Sequence, residues 1–343
     1  MPSHSSSPLP ESPMTPVLRR RALLSGAAAL GCAAAVWPQG VLANSAWPTR
    51  PVRIIVPFAP GGGADSSARV LAELLAPQLG QGVIVENKPG AGSAIGVAAA
   101  AQSKDGHTLL MGSNSMVINP SLMPAIGYDV ARDFDALGMV SSQPLVLVVP
   151  ASSAPKTLAD VIAEAKAKPG HLTAGNSGNG TLAHLAAEIF AGQTGTSLTT
   201  VPYKGESALM PDLMSGLVSM GFLNLPSVLP HVRSGRLRAI AVSSPKEAPE
   251  LPGVPTFRSL NQPSLEVLGW AALFAPKDSI PAAGMARLES LLAAALASDS
   301  VRNRFATLGV TPVIESRAET TKFMKSETER YAAVIKARGI KAG

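Results

Sequence analysis

Two glycine-rich stretches hold the residues best suited to chemistry. The first is Phe58-Ala-Pro-Gly-Gly-Gly-Ala-Asp65, and the second is Gly175-Asn-Ser-Gly-Asn-Gly-Thr-Leu-Ala-His184. Each follows a short strand-like run, 54–56 in one case and 171–174 in the other, and each leads into a helix-like stretch. Pro57 and Pro60 stop the first ladder, and Gly61, Gly62 and Gly63 leave the backbone free to take positive φ. A strand, a glycine loop and a helix N-terminus together offer unpaired N–H groups and the positive end of a helix dipole. That combination holds an anion without a side-chain cation. On its local chemistry the first loop is also readable as a plain strand-to-helix turn. It lacks the Gly-x-Gly-x-x-Gly spacing of a dinucleotide site and the Gly-Lys-Ser/Thr ending of a P-loop. A second loop of the same kind, beyond a domain crossing, points to a ligand held between two lobes.

Ser113 and Asn114 end an apolar strand at 108–111, and open α/β sheets place ligands at such carboxyl ends. The same pair also suits a local Asx or ST turn. A hydrolase is disfavoured. There is no Gly-x-Ser-x-Gly elbow, and Ser177 and His184 have no evident orienting acid. His184 falls on an amphipathic helix and reads as a structural hydrogen-bonding residue. His107, His171 and His231 lack metal-ligand spacing, so neither a metal nor a cofactor is expected.

Strand-like and helix-like runs alternate from here almost to the end, the pattern of an α/β protein. Helices are expected at 65–79, capped by Asp65 or Ser66, and at 94–101, 158–168, 182–191, 226–234, 281–297, 301–308 and 318–338. Strands are expected at 83–85, 108–111, 143–149, 171–174, 220–223 and 237–242, with a return strand near 265–276. The first domain crossing is placed at 143–150, and 245–255 is a proline-rich surface loop.

Arg19, Arg20 and Arg21 precede an apolar run at 22–36, and Val41-Leu-Ala43 offers small residues for cleavage, so residues 1–43 read as an export signal. Sec and twin-arginine routes both fit. Cys32 is the single cysteine, in a weak lipoprotein-box context. Its removal with the leader leaves no disulfide and no thiolate metal site. The formal charge of +6 over 343 residues is mild and interspersed, which points to neither nucleic acid nor a membrane surface as partner. The exported form is expected to be soluble and monomeric.

With these residues in place, the chain resembles the Bug receptor family, the periplasmic substrate-binding proteins of tripartite tricarboxylate transporters. The opening Trp47-Pro-Thr-Arg-Pro-Val-Arg-Ile-Ile-Val-Pro-Phe-Ala-Pro-Gly-Gly-Gly-Ala-Asp65 is similar to the family's own. So are Glu86-Asn-Lys-Pro-Gly-Ala-Gly92, Asp105-Gly-His-Thr-Leu109, Tyr128-Asp129, the second glycine loop with His184, and Val201-Pro-Tyr-Lys-Gly205.

The resemblance implies an α/β, two-lobed Venus-flytrap fold of the type II-like kind, each lobe a mostly parallel sheet flanked by helices. Lobe 1 is expected at 44–145 plus 266–343, and lobe 2 at 146–265. It implies a small organic anion, a mono- or dicarboxylate, captured between the lobes and delivered to the membrane subunits of a transporter. An adaptor that reads a ligand for a membrane sensor would use the same fold. The candidate ligand-binding set is Phe58, Ala59, Pro60, Gly61, Gly62, Gly63, Asp65, Ser113, Asn114, Ser177, Gly178, Asn179, Gly180, Thr181, His184, Tyr203 and Asn224. Lys204 is the cation expected nearest to a ligand at these loops, and it suits a solvated position equally well. Relatives often carry Asp–Asn where this chain has Leu223-Asn224, and an Asp near Ser219. An ammonium-bearing ligand is therefore expected to bind less well than the matching plain acid.

Overall fold

The computed structural model describes residues 47–341 except Pro124. The leader, Cys32 and the cleavage site at Ala43 lie outside the described residues. In chain order the elements begin β1 (Val52–Val56), α1 (Gly63–Leu79), β2 (Val83–Asn87), α2 (Ala94–Ala101), β3 (Thr108–Ser113), α3 (Asn114–Leu122) and α4 (Val130–Asp133). Then come β4 (Phe134–Pro150), α5 (Leu158–Ala167), β5 (Thr173–Asn176), α6 (Leu182–Thr194), β6 (Thr199–Pro202), α7 (Glu206–Ser215) and β7 (Met220–Asn224). The chain finishes with α8 (Leu225–Arg233), β8 (Leu237–Val242), β9 (Leu268–Pro276), α9 (Ala282–Ala297), α10 (Asp299–Leu308), β10 (Thr311–Pro312) and α11 (Arg317–Arg338).

The strands run in the order β2-β1-β3-β9-β4-β7-β5-β6, with β8 and β10 also paired to β4. Pairing is parallel at both outer portions, β2–β1–β3 and β6–β5–β7, and antiparallel wherever β4 or β9 takes part. The sheet is therefore mixed, with the parallel portions expected from sequence flanking an antiparallel centre. Strand β1 is apolar at every position but Arg53 because both of its faces are covered. Val52, Ile54 and Val56 enter one core, and Ile55 enters another. Strand β4 repeats this: Leu145, Leu147 and Val149 face one core, and Val146 and Val148 face a third.

Strand β4 makes the crossing. Residues up to Pro144 pair with β9, and residues from Leu145 onward pair with β7 and β8. It starts nine residues earlier than the apolar run at 143–149 suggests. The missed half, Phe134-Asp-Ala-Leu-Gly-Met-Val-Ser-Ser142, has register shifts at Ala136/Gly138 and at Met139/Ser141. Two bulges destroy the period of two by which a strand is recognised. Helix α3 was also hidden, because Asn114 and Ser115 look like turn formers. Tertiary bonds override that preference. Asn114 Nδ2 donates to Leu268 O (3.1 Å) and Tyr331 Oη (3.0 Å), while its Oδ1 accepts from Trp270 N (3.0 Å), tying α3 to β9 and α11.

Candidate functional site

The first glycine loop runs from β1 into α1, which begins at Gly63, two residues before the expected start. Its N-cap is Gly62, with no side-chain cap. Asp65 is thus a first-turn residue and not the cap. Its Oδ2 accepts from Gly61 N (2.9 Å) and Arg69 Nε (2.9 Å), and its Oδ1 from Arg69 Nη2 and Asn87 Nδ2 (both 3.0 Å). Asn87 Nδ2 also donates to Phe58 O (3.0 Å), so one buried carboxylate holds both ends of the loop. Burial alone would push the Asp65 carboxyl up. The Arg69, Gly61 and Asn87 donors outweigh it and leave the carboxyl below its ordinary value. Positive φ falls on Gly61 (87°), whereas Gly62 sits at −83°.

The second loop leads from β5 into α6. Gly178 N donates to Asn176 Oδ1 (2.9 Å), and Thr181 Oγ1 donates to Gly178 O (2.7 Å) while accepting from His184 N (3.4 Å) as N-cap. His184 is buried, and its Nδ1 accepts from Gly180 N (3.3 Å). Burial holds its imidazole below the ordinary histidine value, hence neutral at pH 7. His184 therefore braces the loop, as its sequence context suggested.

Between the loops lies a cavity of about 60 Å³, several times the room one water needs. Of the candidate residues, Phe58, Ala59, Gly62, Gly63, Asp65, Ser113, Asn114, Ser177, Thr181 and Asn224 line it. Pro60, Gly61, Gly180 and His184 do not. Gly178, Asn179 and Tyr203 instead line a neighbouring cavity of about 420 Å³, which shares Phe58 and Ser177 with the first and also includes Lys204. Tyr203 Oη donates to Asp212 Oδ2 (2.6 Å).

The cavity's wall shows what the loops alone do not. Its lining includes the N-terminal residues of α1 (Gly62 to Asp65), α3 (Ser113 to Ser115), α6 (Thr181 to Ala183) and α7 (Glu206), together with Asn224, the N-cap of α8. Five helix N-termini meet one cavity, and no lysine or arginine lines it. Each brings positive dipole character, and on α1, α3 and α7 no side chain caps the first N–H groups, whereas at α8 Asn224 N already donates to Glu206 Oε1 and Pro226 carries no N–H.

Sequence reasoning missed Gln143, Glu206 and Trp270 among the lining residues. No local motif marks them, since each arrives from a distant element. Leu223 does not reach the cavity at all. It is fully buried in the core. Glu206, 6% exposed, supplies an acid that the count over the two loops lacked. Burial pushes its carboxyl up, against the donors Asn224 N, Ser227 Oγ and Asn224 Nδ2. Leu223 therefore sets no bias against ammonium-bearing ligands at the cavity wall.

Each loop also touches the opposite side of the cleft. Ala59 N donates to Lys204 O (3.3 Å). Gly92 lies so close to the second loop that a Cβ there would sit 1.8 Å from Asn179 O, and one on Gly180 would sit 1.7 Å from Asn119 Oδ1. Two of these contacts are backbone against backbone, and the third sets the Gly180 backbone against the Asn119 side chain.

The family model described as "Tripartite tricarboxylate transporter family receptor" matches residues 67–340. Protein BugT of Bordetella pertussis is 41% identical over 298 residues, 86% of this chain and 91% of that protein. The solved structure of the periplasmic binding protein BugD superposes with a TM-score of 0.82 at 30% identity, covering 86% of this chain and 99% of that one. An R. palustris protein solved with adipate gives a TM-score of 0.82 at 32% identity, over 86% and 99% of the two chains. With two glycine loops facing one cleft inside this architecture, the chain belongs to the tripartite tricarboxylate transporter receptor family, as a periplasmic solute-binding receptor and not an enzyme.

Proposed function

We propose that the cleft binds a small organic mono- or dicarboxylate and that the loaded, monomeric receptor delivers it to the membrane subunits of its transporter. The observation that carries this reading is the convergence of five helix N-termini on a cavity lined by no lysine or arginine. A carboxylate has oxygens for several fixed N–H donors, and charge-assisted hydrogen bonds are worth roughly 1.5–3 kcal/mol each. An R. palustris relative of the same fold is solved with adipate, a dicarboxylate, which supports the class. The lobes divide at the middle of β4 and just before β9, with lobe 1 at 44–145 plus 266–343 and lobe 2 at 146–265. Export proceeds with cleavage near Ala43. Among the described residues no helix is long and apolar enough to cross a membrane. Native mass spectrometry of the purified protein should reveal a co-purifying small anion, and calorimetry with a panel of carboxylates should rank them. Tight binding of sugars or amines, with no carboxylate bound, would refute the reading.

A further inference from the structure

The cavity wall contains a relay of three polar side chains that the two glycine loops do not need. Glu206 Oε1 accepts from the backbone N of Asn224 (2.9 Å) and from its Nδ2 (2.8 Å). That pair of bonds fixes the Asn224 amide, because turning it over would set Oδ1 against an acceptor oxygen. The fixed amide presents Oδ1 to Gln143 Nε2 at 3.3 Å. Gln143 is fixed in turn, since its own flip would oppose two carbonyl oxygens. The result is that Gln143 Oε1, on a residue 7% exposed and lining the cavity, is buried with no hydrogen-bond partner. A buried acceptor left unmade costs about 1–3 kcal/mol, so such an atom marks a place for a donor. The packing leaves room for the relay. Gly269 pairs with Gln143 across the sheet, and a Cβ there would lie 2.5 Å from Asn224 Oδ1 and 3.2 Å from Gln143 Nε2.

We propose that Glu206, acting through Asn224, positions Gln143 Oε1 as the acceptor for a hydrogen-bond donor on the ligand, so that the receptor prefers carboxylates bearing a hydroxyl or ammonium group over the unsubstituted acids. This rests on the carboxylate reading above and deepens it. Gln143 is the specificity residue, and Glu206 and Asn224 are positioning residues. The sense of the relay does not depend on whether Glu206 carries a proton on Oε2, because Oε1 accepts from Asn224 in either case.

The test is calorimetry on short-chain mono- and dicarboxylates, each paired with its 2-hydroxy and 2-amino analogue of the same length. The wild type should favour at least one donor-bearing analogue by about tenfold. Gln143→Met removes the acceptor and should bring the ratio to within about threefold. Glu206→Met should do the same by releasing the relay. Glu206→Gln should keep the wild-type ratio, since its Oε1 still accepts from Asn224 N, a rescue that a merely structural role would not produce. If Glu206→Met does not fold, Gln143→Met decides alone. Whichever of hydroxyl and ammonium carries the preference supports the inference and identifies the donor. Plain acids binding the wild type as well as their analogues, or a preference surviving in Gln143→Met, would overturn it and leave the carboxylate reading intact. If no acid binds at all, both readings fall.

Discussion

The first glycine loop is pinned by a charge, whereas the second is pinned by neutral hydrogen bonds. Asp65 gathers Gly61 N, Arg69 and Asn87 around one buried carboxylate. Asn176, Thr181 and His184 share the same task in the second loop, and none of them is ionised at neutral pH. Both arrangements leave helix N–H groups facing the cavity. They differ in what can disturb them: protonation removes the charge of the first pin, whereas in the second the Asn176 and Thr181 bonds do not titrate and only the neutral His184 acceptor is open to acid. They differ too in how they meet the opposite wall. The second loop touches Gly92 without space for a side chain, while the first meets Lys204 at hydrogen-bond distance.

The largest effect should come from that close contact. Gly92→Ala places a methyl 1.8 Å from Asn179 O, on a residue whose φ is +58°. Binding should weaken at least about a hundredfold, ~2.7 kcal/mol, because the cleft cannot close. Calorimetry measures the loss, and an unchanged circular dichroism spectrum shows that the fold persists. Gly62→Val acts on the first loop differently. No atom lies within 4 Å of a Cβ there and φ is −83°, so the backbone accepts it. The side chain enters the cavity, and affinity should fall by about thirtyfold, ~2 kcal/mol, with little change in melting temperature. A large loss of stability would show that the position needs glycine for its backbone and not for the ligand.

Next come the pins themselves. Asp65→Asn keeps the shape and removes the charge, and should destabilise the fold by about 1.5 kcal/mol in denaturant titration. Thr181→Val removes the α6 N-cap and should cost about 1 kcal/mol. Equal sensitivity of the two variants to pH would dissolve the contrast between the loops. The smallest effect is the pH dependence that separates them. The Asp65 carboxyl lies below its ordinary value in the folded protein. Its contribution is therefore complete above about pH 4 and is lost as pH falls through the lowered value. The gap between wild type and Asp65→Asn should close in acid, while the gap for Thr181→Val should stay constant.

The alternation of elements and both glycine loops follow from local pattern, and those expectations describe the fold well. Residues 94–101 and 237–242 are bounded in the structure as the periodicity places them. Local pattern reaches this far because turns, caps and helical spacing depend on neighbours in the chain. It failed at the first half of β4, where two bulges break the alternation, and at α3, where Asn114 obtains its partners from residues more than 150 positions away. It left the positive φ open among Gly61, Gly62 and Gly63, and of Gly61 and Gly62 it is Gly61 that takes it.

The sequence by itself determined that two glycine loops each lead from a strand into a helix start. Only the tertiary structure decided that five helix N-termini share one cavity, that Leu223 turns into the core, and that Gln143 and Glu206 reach the cavity wall. The reason is geometric. A helix start is written in a few consecutive residues, but Gln143, Glu206 and Asn224 lie on β4, α7 and the end of β7. Only the register of β4 against β7 and β9, set by burial on both faces of the sheet, brings them within hydrogen-bonding distance.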